Sequence, residues 1–191
     1  MDNTFYNWIE LERIETPLAG SFIIRPRVFE DERGLFCETF REDKFMEFSG
    51  IDRPFVQDNQ SASSYGVLRG LHFQRGEMSQ SKLVRAIVGE VLDVIVDMRR
   101  DSPTFGKSFS VRLSDKNHLQ LYVPRGFAHG FVTLSPKSVF AYKCDNYYDK
   151  SSEGGIIYND PDLKLDWLLD ESELIISEKD LLLPTFREAL L

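Results

Sequence analysis

The sequence predicts an all-β fold, a sandwich or barrel. Three observations lead there. Between Ser21 and Asn146 roughly nine or ten short segments rich in Val, Ile, Leu and Phe are separated by turn signals at the spacing of such folds. Aromatic residues make up 13% of the chain, with 15 Phe, which favours a β-rich interior. The tail beyond Asn146 changes character and carries no comparable alternation.

Taken in order, Met1 to Gly20 mixes aromatic and charged residues without strong periodicity, and reads either as an arm or as a strand that packs on a partner. Ser21 to Phe29 alternates as a strand ending near the charged turn Glu30-Asp-Glu-Arg-Gly34, and Leu35 to Phe40 forms a second strand. Arg41 to Gly50 is expected to be helical, since Phe45, Met46 and Phe48 suit one face and Gly50 is a stop. Pro54 to Asn59 is extended and Ser61 to Tyr65 reads as a small polar loop. Gly66 to Arg85 holds two strands joined by a polar turn; strict alternation sets Arg69 and His72 on opposite faces, unless Gly70 hosts a bulge that turns both toward one site. Val91 to Met98 sends Leu92, Val94, Val96 and Met98 to one face and Val91, Asp93, Ile95 and Asp97 to the other. That second face is either a barrel interior with a few polar groups or a solvated face. After the loop Ser102-Pro-Thr-Phe-Gly106, strands follow at Phe109 to Leu113, Leu119 to Val123, Ala128 to Leu134 and Val139 to Asn146. Asn159-Asp-Pro-Asp162 is a turn, Ser177 and Asp180 have capping-box spacing, and Pro184 opens a short helix through Leu191.

A chain of 191 residues suits one domain, 1–191, with 1–11 as an N-terminal extension. A net charge of -8 argues against nonspecific nucleic-acid binding; an anionic ligand needs a local cluster of Arg and Lys. Cys37 and Cys144 form no metal or redox motif and read as buried thiols of a cytoplasmic protein. No apolar run is long enough to span a membrane, and the N-terminus lacks the shape of a signal peptide.

Pro124-Arg-Gly-Phe-Ala-His129-Gly resembles the second histidine motif of the cupin jelly roll. Where the first motif normally supplies His-x-His, this chain reads His72-Phe-Gln74, and with only three histidines in all a three-His metal site is hard to build. The expectation is therefore a cupin barrel with neither metal nor other cofactor.

Five blocks then occur in one order: Arg69-Gly-Leu-His72-Phe-Gln, Lys82-Leu-Val-Arg, Gly-Glu-Val-Leu-Asp93-Val, Ser102-Pro-Thr-Phe-Gly and Pro124-Arg-Gly-Phe-Ala-His129-Gly-Phe. Together with Tyr142-Lys-Cys-Asp-Asn-Tyr-Tyr148, Ser152-Glu153-Gly, Asn159-Asp-Pro and Ser177-Glu-Lys-Asp180 they resemble the dTDP-4-dehydrorhamnose 3,5-epimerase family from about Glu12 to Leu191. Tyr158 stands where the family often has Trp.

The resemblance implies an isomerase of dTDP-L-rhamnose synthesis. It inverts C3 and C5 of dTDP-4-dehydro-6-deoxy-D-glucose by removing protons beside the C4 ketone. Such chemistry needs a base, an acid on the opposite face and a cation near the enolate oxygen. By resemblance His72 is the base, Asp180 the carboxylate that orients it, Tyr142 the acid and Lys82 the cation. Arg33, Glu38, Gln57, Asn59, Arg69, His129, Glu153 and Lys179 match substrate-binding positions, Tyr148 matches the residue stacking on thymine, and Phe29 and Phe36 match apolar contacts. Asp93 matches a buried acid behind the site. The family is a homodimer whose N-terminal strands cross to the partner, so Phe29, Arg33 and Glu38 are expected to serve the neighbouring site. Rival readings are a single-centre epimerase on a related nucleotide hexulose, a metal cupin oxygenase and a noncatalytic sugar-binding cupin. Retention of Tyr142 favours double inversion.

Overall fold

Alternating β-formers through the first three-quarters of the chain build two sheets that pack face to face. The structure, a computed structural model, describes residues 11–190. Along the chain run β1 (Glu12–Glu15), β2 (Phe22–Arg25), β3 (Val28–Asp31), β4 (Gly34–Cys37), helix α1 (Glu42–Ser49), β5 (Gln57–Ser64), β6 (Val67–Gln74), β7 (Lys82–Val88), β8 (Glu90–Asp97), β9 (Ser108–Ser114), β10 (Gln120–Val123), β11 (Phe127–Thr133) and β12 (Lys137–Cys144). The tail adds β13 (Glu153–Gly155), β14 (Ile175–Ile176) and the four-residue helices α2 (Glu178–Leu181) and α3 (Phe186–Ala189).

The first sheet has the order β1-β2-β10-β7-β12-β5 and the second β13-β6-β11-β8-β9, with β14 joining β6 in parallel; β3 and β4 form a separate hairpin. This is a two-sheet sandwich, one of the two architectures that the strand pattern predicts. Val84, Val91, Ile95, Leu121, Phe131 and Phe140 fill the space between the sheets. Helix α1 covers the outside of the first sheet, where Phe45 packs with Phe22, Ile24, Leu83 and Tyr122. The tail covers the outside of the second sheet, with Ile156, Trp167 and Phe186 on Leu92, Val94 and Val96. Strand β8 is thus buried on both faces, and Asp93 and Asp97 lie inside, fully shielded from solvent. Of the two readings of that face, the barrel interior is the one realised.

Asp97 remains charged there. Burial pushes its carboxyl up, but Arg99, Ser102 and Thr104 all donate to it and bring it down to about 2. Arg99 Nη2 also donates to Ala19 O at 2.6 Å, tying the N-terminal segment to the 102–106 loop.

Several boundaries differ from the sequence reading. The strand expected over Ser21 to Phe29 is broken at Pro26, which has no amide to donate to a ladder, so β2 and β3 are separate. The strand expected over Leu35 to Phe40 is only Gly34–Cys37. Ser61 to Ser64 belongs to β5 rather than to a loop, because β12 offers a complete ladder through Lys137↔Ser64. Of the first twenty residues, Glu12–Glu15 pairs with β2 of the same chain and Leu11 packs on the α1 cluster; residues 1–10 lie outside the described part. The helix expected over Arg41 to Gly50 is present, and Gly50 closes it in the left-handed region at φ 70°. Cys144 is buried as expected, whereas Cys37 is only half-buried on the exposed hairpin, and neither is in a disulfide.

Candidate active site

A cavity of about 530 Å³ opens between the two sheets. Its walls include Ser61, Arg69, His72, Lys82, His129, Phe131, Phe140, Tyr142, Lys179 and Asp180. A smaller recess of about 160 Å³ shares His72, Lys82 and Tyr142 with it and adds Gln57, Asn59, Tyr148 and Glu153. The three shared side chains therefore sit at the junction of one continuous cleft.

The two sheets supply opposite walls. His72 projects from β6 of the second sheet. Lys82 and Tyr142 project from β7 and β12 of the first, where the register pairs Lys82↔Cys144 and Val84↔Tyr142 and so sets both side chains on one face.

Gly70 makes the His72 wall possible. It adopts φ 118°, open to glycine and strained for other residues, and an added Cβ would stand 2.7 Å from Gly130 Cα. The pairing of β6 with β11 shifts register between His129 and Phe131, which lets both Arg69 and His72 line the cavity despite their odd spacing.

His72 Nε2 lies 2.7 Å from Asp180 Oδ1, and the Gly70 amide donates to Asp180 Oδ2 at 3.3 Å. Asp180 is held by its own short helix, whose N-cap Ser177 accepts from the Asp180 amide at 3.1 Å. Its side chain reaches the imidazole while its amide bonds the cap, so the capping motif and the dyad coexist. Burial pushes the Asp180 carboxyl up; the hydrogen bond and charge of His72, with Gly70 and Ser177, outweigh this and hold it below the usual range. An ionised Asp180 accepts a hydrogen bond from Nε2–H, and in that tautomer Nδ1 carries the lone pair.

On the opposite wall burial raises the Tyr142 phenol, keeping it protonated, and lowers the Lys82 ammonium below that of an ordinary lysine. Lys82 Nζ sits 5.8 Å from the centre of the Tyr142 ring and, among the described residues, makes no ion pair or hydrogen bond. Its charge is available to a ligand.

The binding residues read from the sequence divide into two groups. Arg69 donates to Ser63 Oγ at 3.2 Å; Gln57 accepts from the Tyr148 amide and donates to Asn59; Lys179 pairs with Glu153 at 2.7 Å, and Tyr148 donates to Glu153 at 3.1 Å. All of these line the cleft. His129 lines it as well, with Nε2 2.9 Å and 3.1 Å from the two oxygens of Asp93. Burial holds the His129 imidazole below its ordinary value, although Asp93 opposes the shift.

Phe29, Arg33 and Phe36 stand elsewhere, on the β3–β4 hairpin around a separate cavity of about 500 Å³; Arg33 is paired with Asp31, and Phe36 is 70% exposed. Glu38 follows that hairpin half-buried and lines neither cavity. The hairpin does not reach His72 of its own chain.

Sequence reasoning passed over Ser61 and Ser63. Period-two spacing from Gln57 through Asn59, Ser61 and Ser63 was the available signal, hidden by reading the last part as a loop. Among the described residues no group of three or more His, Cys, Asp or Glu is placed to hold a metal ion.

The dTDP-4-dehydrorhamnose 3,5-epimerase family model matches residues 15–188. The chain belongs to that family. Over 178 residues it is 51% identical to a dTDP-4-dehydrorhamnose 3,5-epimerase of Salmonella typhimurium, covering 93% of this chain and 97% of the relative. The crystal structure of the Elizabethkingia anophelis enzyme of that name is 54% identical, with a TM-score of 0.90 over 95% of this chain and 99% of the other. A Legionella pneumophila epimerase solved with dTDP-4-keto-L-rhamnose is 46% identical, with a TM-score of 0.90 over 93% and 94%. The sandwich is accordingly the epimerase family's cupin jelly roll.

Proposed function

We propose that this chain epimerises C3 and C5 of dTDP-4-dehydro-6-deoxy-D-glucose, giving dTDP-4-dehydro-L-rhamnose for rhamnose synthesis, with the His72–Asp180 dyad and Tyr142 acting from opposite sheets. The observation that carries this is the dyad, 2.7 Å between Nε2 and Oδ1, facing a protonated phenol and an unpaired ammonium across one cleft.

The C4 ketone acidifies only the C–H bonds at C3 and C5. His72 Nδ1 takes such a proton, and Asp180 stabilises the imidazolium that forms. Electrons of the broken C–H bond move onto O4, where Lys82 balances the enolate charge. Tyr142 then returns a proton to the carbon from the other side, and solvent restores both groups. A single acid–base pair serves both carbons if the ring turns between steps. None of these steps calls on a metal or a redox cofactor.

The recess lined by Gln57, Asn59, Tyr148 and Glu153 is the proposed nucleotide end, with Tyr148 offering its ring to thymine. Arg69 and Lys179 supply cations for the diphosphate in an otherwise acidic chain. His129 contributes a polar wall fixed by Asp93.

A second copy completes the site in this reading. Phe29, Arg33 and Phe36 form an exposed hairpin that has no role in its own cleft, and Glu38 follows it; their task is to close the partner's nucleotide end within a homodimer. The chain works as one domain over 1–191, with 1–11 as an extension. Its two free cysteines suit a reducing cytoplasm, and among the described residues no helix is long and apolar enough to cross a membrane.

The test is incubation with the substrate in heavy water after exhaustive chelation. Deuterium at both C3 and C5, with both centres inverted, is the expected result. Label at one carbon only makes this a single-centre epimerase. Bound substrate without label leaves a binding protein, and activity restored only by added metal removes the metal-free mechanism.

A further inference from the structure

The two members of the dyad are held in different ways. His72 is fixed by its place in β6, paired with β11 on one side and β13 on the other. Asp180 lies on the four-residue helix α2, and the next two residues of the tail, Leu181 and Leu182, are exposed. What leads α2 to His72 is the parallel pairing of β14 with β6, only two residues long: Ile175↔Val67 and Ile176↔Leu68. The tail therefore runs alongside β6 in the same direction, and the strand that carries the base also guides its carboxylate.

That pairing begins at Gly66. Tyr65 and Gly66 form the turn that leads from β5 in the first sheet to β6 in the second. Gly66 O accepts from the Ile175 amide at 2.8 Å, while Gly66 N donates to Thr133 O at 3.0 Å. Its φ of 79° lies in the left-handed region, which is open to glycine. An added Cβ would overlap the carbonyl oxygen of Glu173, a backbone atom that cannot swing aside as a side chain can. Tyr65 Oη donates to Glu173 Oε1 at 2.8 Å on the same spot. The tail is thus seated on bare backbone immediately before it pairs with β6. A side chain at Gly66 would drive Glu173 back by roughly 1 Å to restore ordinary contact. The 2.7 Å bond from Asp180 to His72 stands farther along that same segment.

We propose that Gly66 is a positioning residue for the reaction: its missing side chain sets how closely the tail lies on β6, and through the tail it sets Asp180 against His72. This rests on the functional reading above. It adds that the geometry of the dyad is set at a turn that lines neither part of the cleft. A misplacement of about 1 Å, even from a change far from the chemistry, costs up to about 100-fold in rate.

The experiment is a double-mutant cycle of Gly66→Ala and Gly66→Asn with Asp180→Asn. Asparagine tolerates left-handed backbone better than alanine but carries the same Cβ, so it separates the crowding from the backbone strain. In the otherwise wild-type protein both changes should lower kcat roughly 10- to 100-fold. Affinity for dTDP should stay within about threefold, since Gln57, Asn59 and Tyr148 lie on other elements and Lys179 follows on a long, exposed side chain. In the Asp180→Asn background the same changes should lower kcat less than about twofold, because no carboxylate is left to misplace, while the shift of the thermal midpoint should be equal in both backgrounds. An equal fall of kcat in both backgrounds overturns the proposal, since the glycine would then support the site as a whole. So does a wild-type kcat in either folded variant. If neither variant folds, the glycine belongs to the fold alone and the proposal is also overturned. Failure of the functional reading shows separately, in Asp180→Asn alone: a wild-type rate there removes the dyad without reference to Gly66.

Discussion

Two histidine–carboxylate pairs lie side by side in this molecule in different surroundings. One joins His72 to Asp180 and the other His129 to Asp93, and the two histidines are register partners in the neighbouring strands β6 and β11. The His72 side chain keeps 32% of its surface open, whereas that of His129 keeps 6% and its Asp93 none. Asp180 comes from the irregular tail and is steered by a capped helix turn. Asp93 comes from the adjacent strand β8, held by a continuous ladder. In the proposed mechanism the same pair of functional groups is a catalytic dyad where it meets the cavity and a wall where the sandwich encloses it. What separates the two is access: a base must accept a proton from substrate and return it to solvent.

The largest expected effect breaks the first pair. His72→Asn should lower turnover by at least roughly 10²–10⁴-fold with dTDP binding kept, since the base alone is lost. Asp180→Asn should follow at about 100-fold or more, because an amide neither fixes the tautomer nor supports the imidazolium. If Asp180 mattered only to its helix turn, the rate would survive and only about 1 kcal/mol of stability would go. Rates and melts on one sample separate the outcomes. His129→Asn should reverse the balance: it leaves Asp93 buried without its imidazole, costing roughly 1–3 kcal/mol, with a smaller effect on turnover than either change at the dyad. A His129→Asn protein that is fully stable but inactive would make the second pair catalytic.

The smallest effect is the pH dependence of stability, and it sharpens the contrast. The folded-state pKa of His129 lies below its unfolded value, so its contribution is present above about 6.5 and is lost as pH falls from there toward the folded value. Asp180 and Asp97 also have lowered folded values, Asp97 to about 2, and their contributions are lost only below about 3.9. Acid denaturation should therefore show two separate losses, with Asp97 alone accounting for about 2 kcal/mol of the lower one. In His129→Asn the upper loss should vanish and the lower one remain. An unchanged profile above pH 4 would show that His129 titrates normally.

By itself the sequence determined that the chain is rich in short strands, the helix stopped at Gly50, which side chains of β8 share a face and the family, since short-range alternation, glycine geometry and ordered blocks are local properties of a chain. Gly70 was legible as a bulge candidate because only glycine suits a left-handed position pressed against another backbone. Ser61 to Ser64 was not. Its polar composition imitates a loop, and only β12 and the polar cavity, both distant in sequence, make it a strand. The resemblance implied that Asp180 orients His72 and that the hairpin serves a neighbour; what only the tertiary structure supplied is the geometry, with Asp180, 108 residues from His72, brought to 2.7 Å from the imidazole, and Phe29, Arg33 and Phe36 gathered around a separate cavity. Local pattern fixes which way a side chain faces along its own strand; which distant group it meets depends on how the sheets and the tail pack, and that is a property of the whole chain.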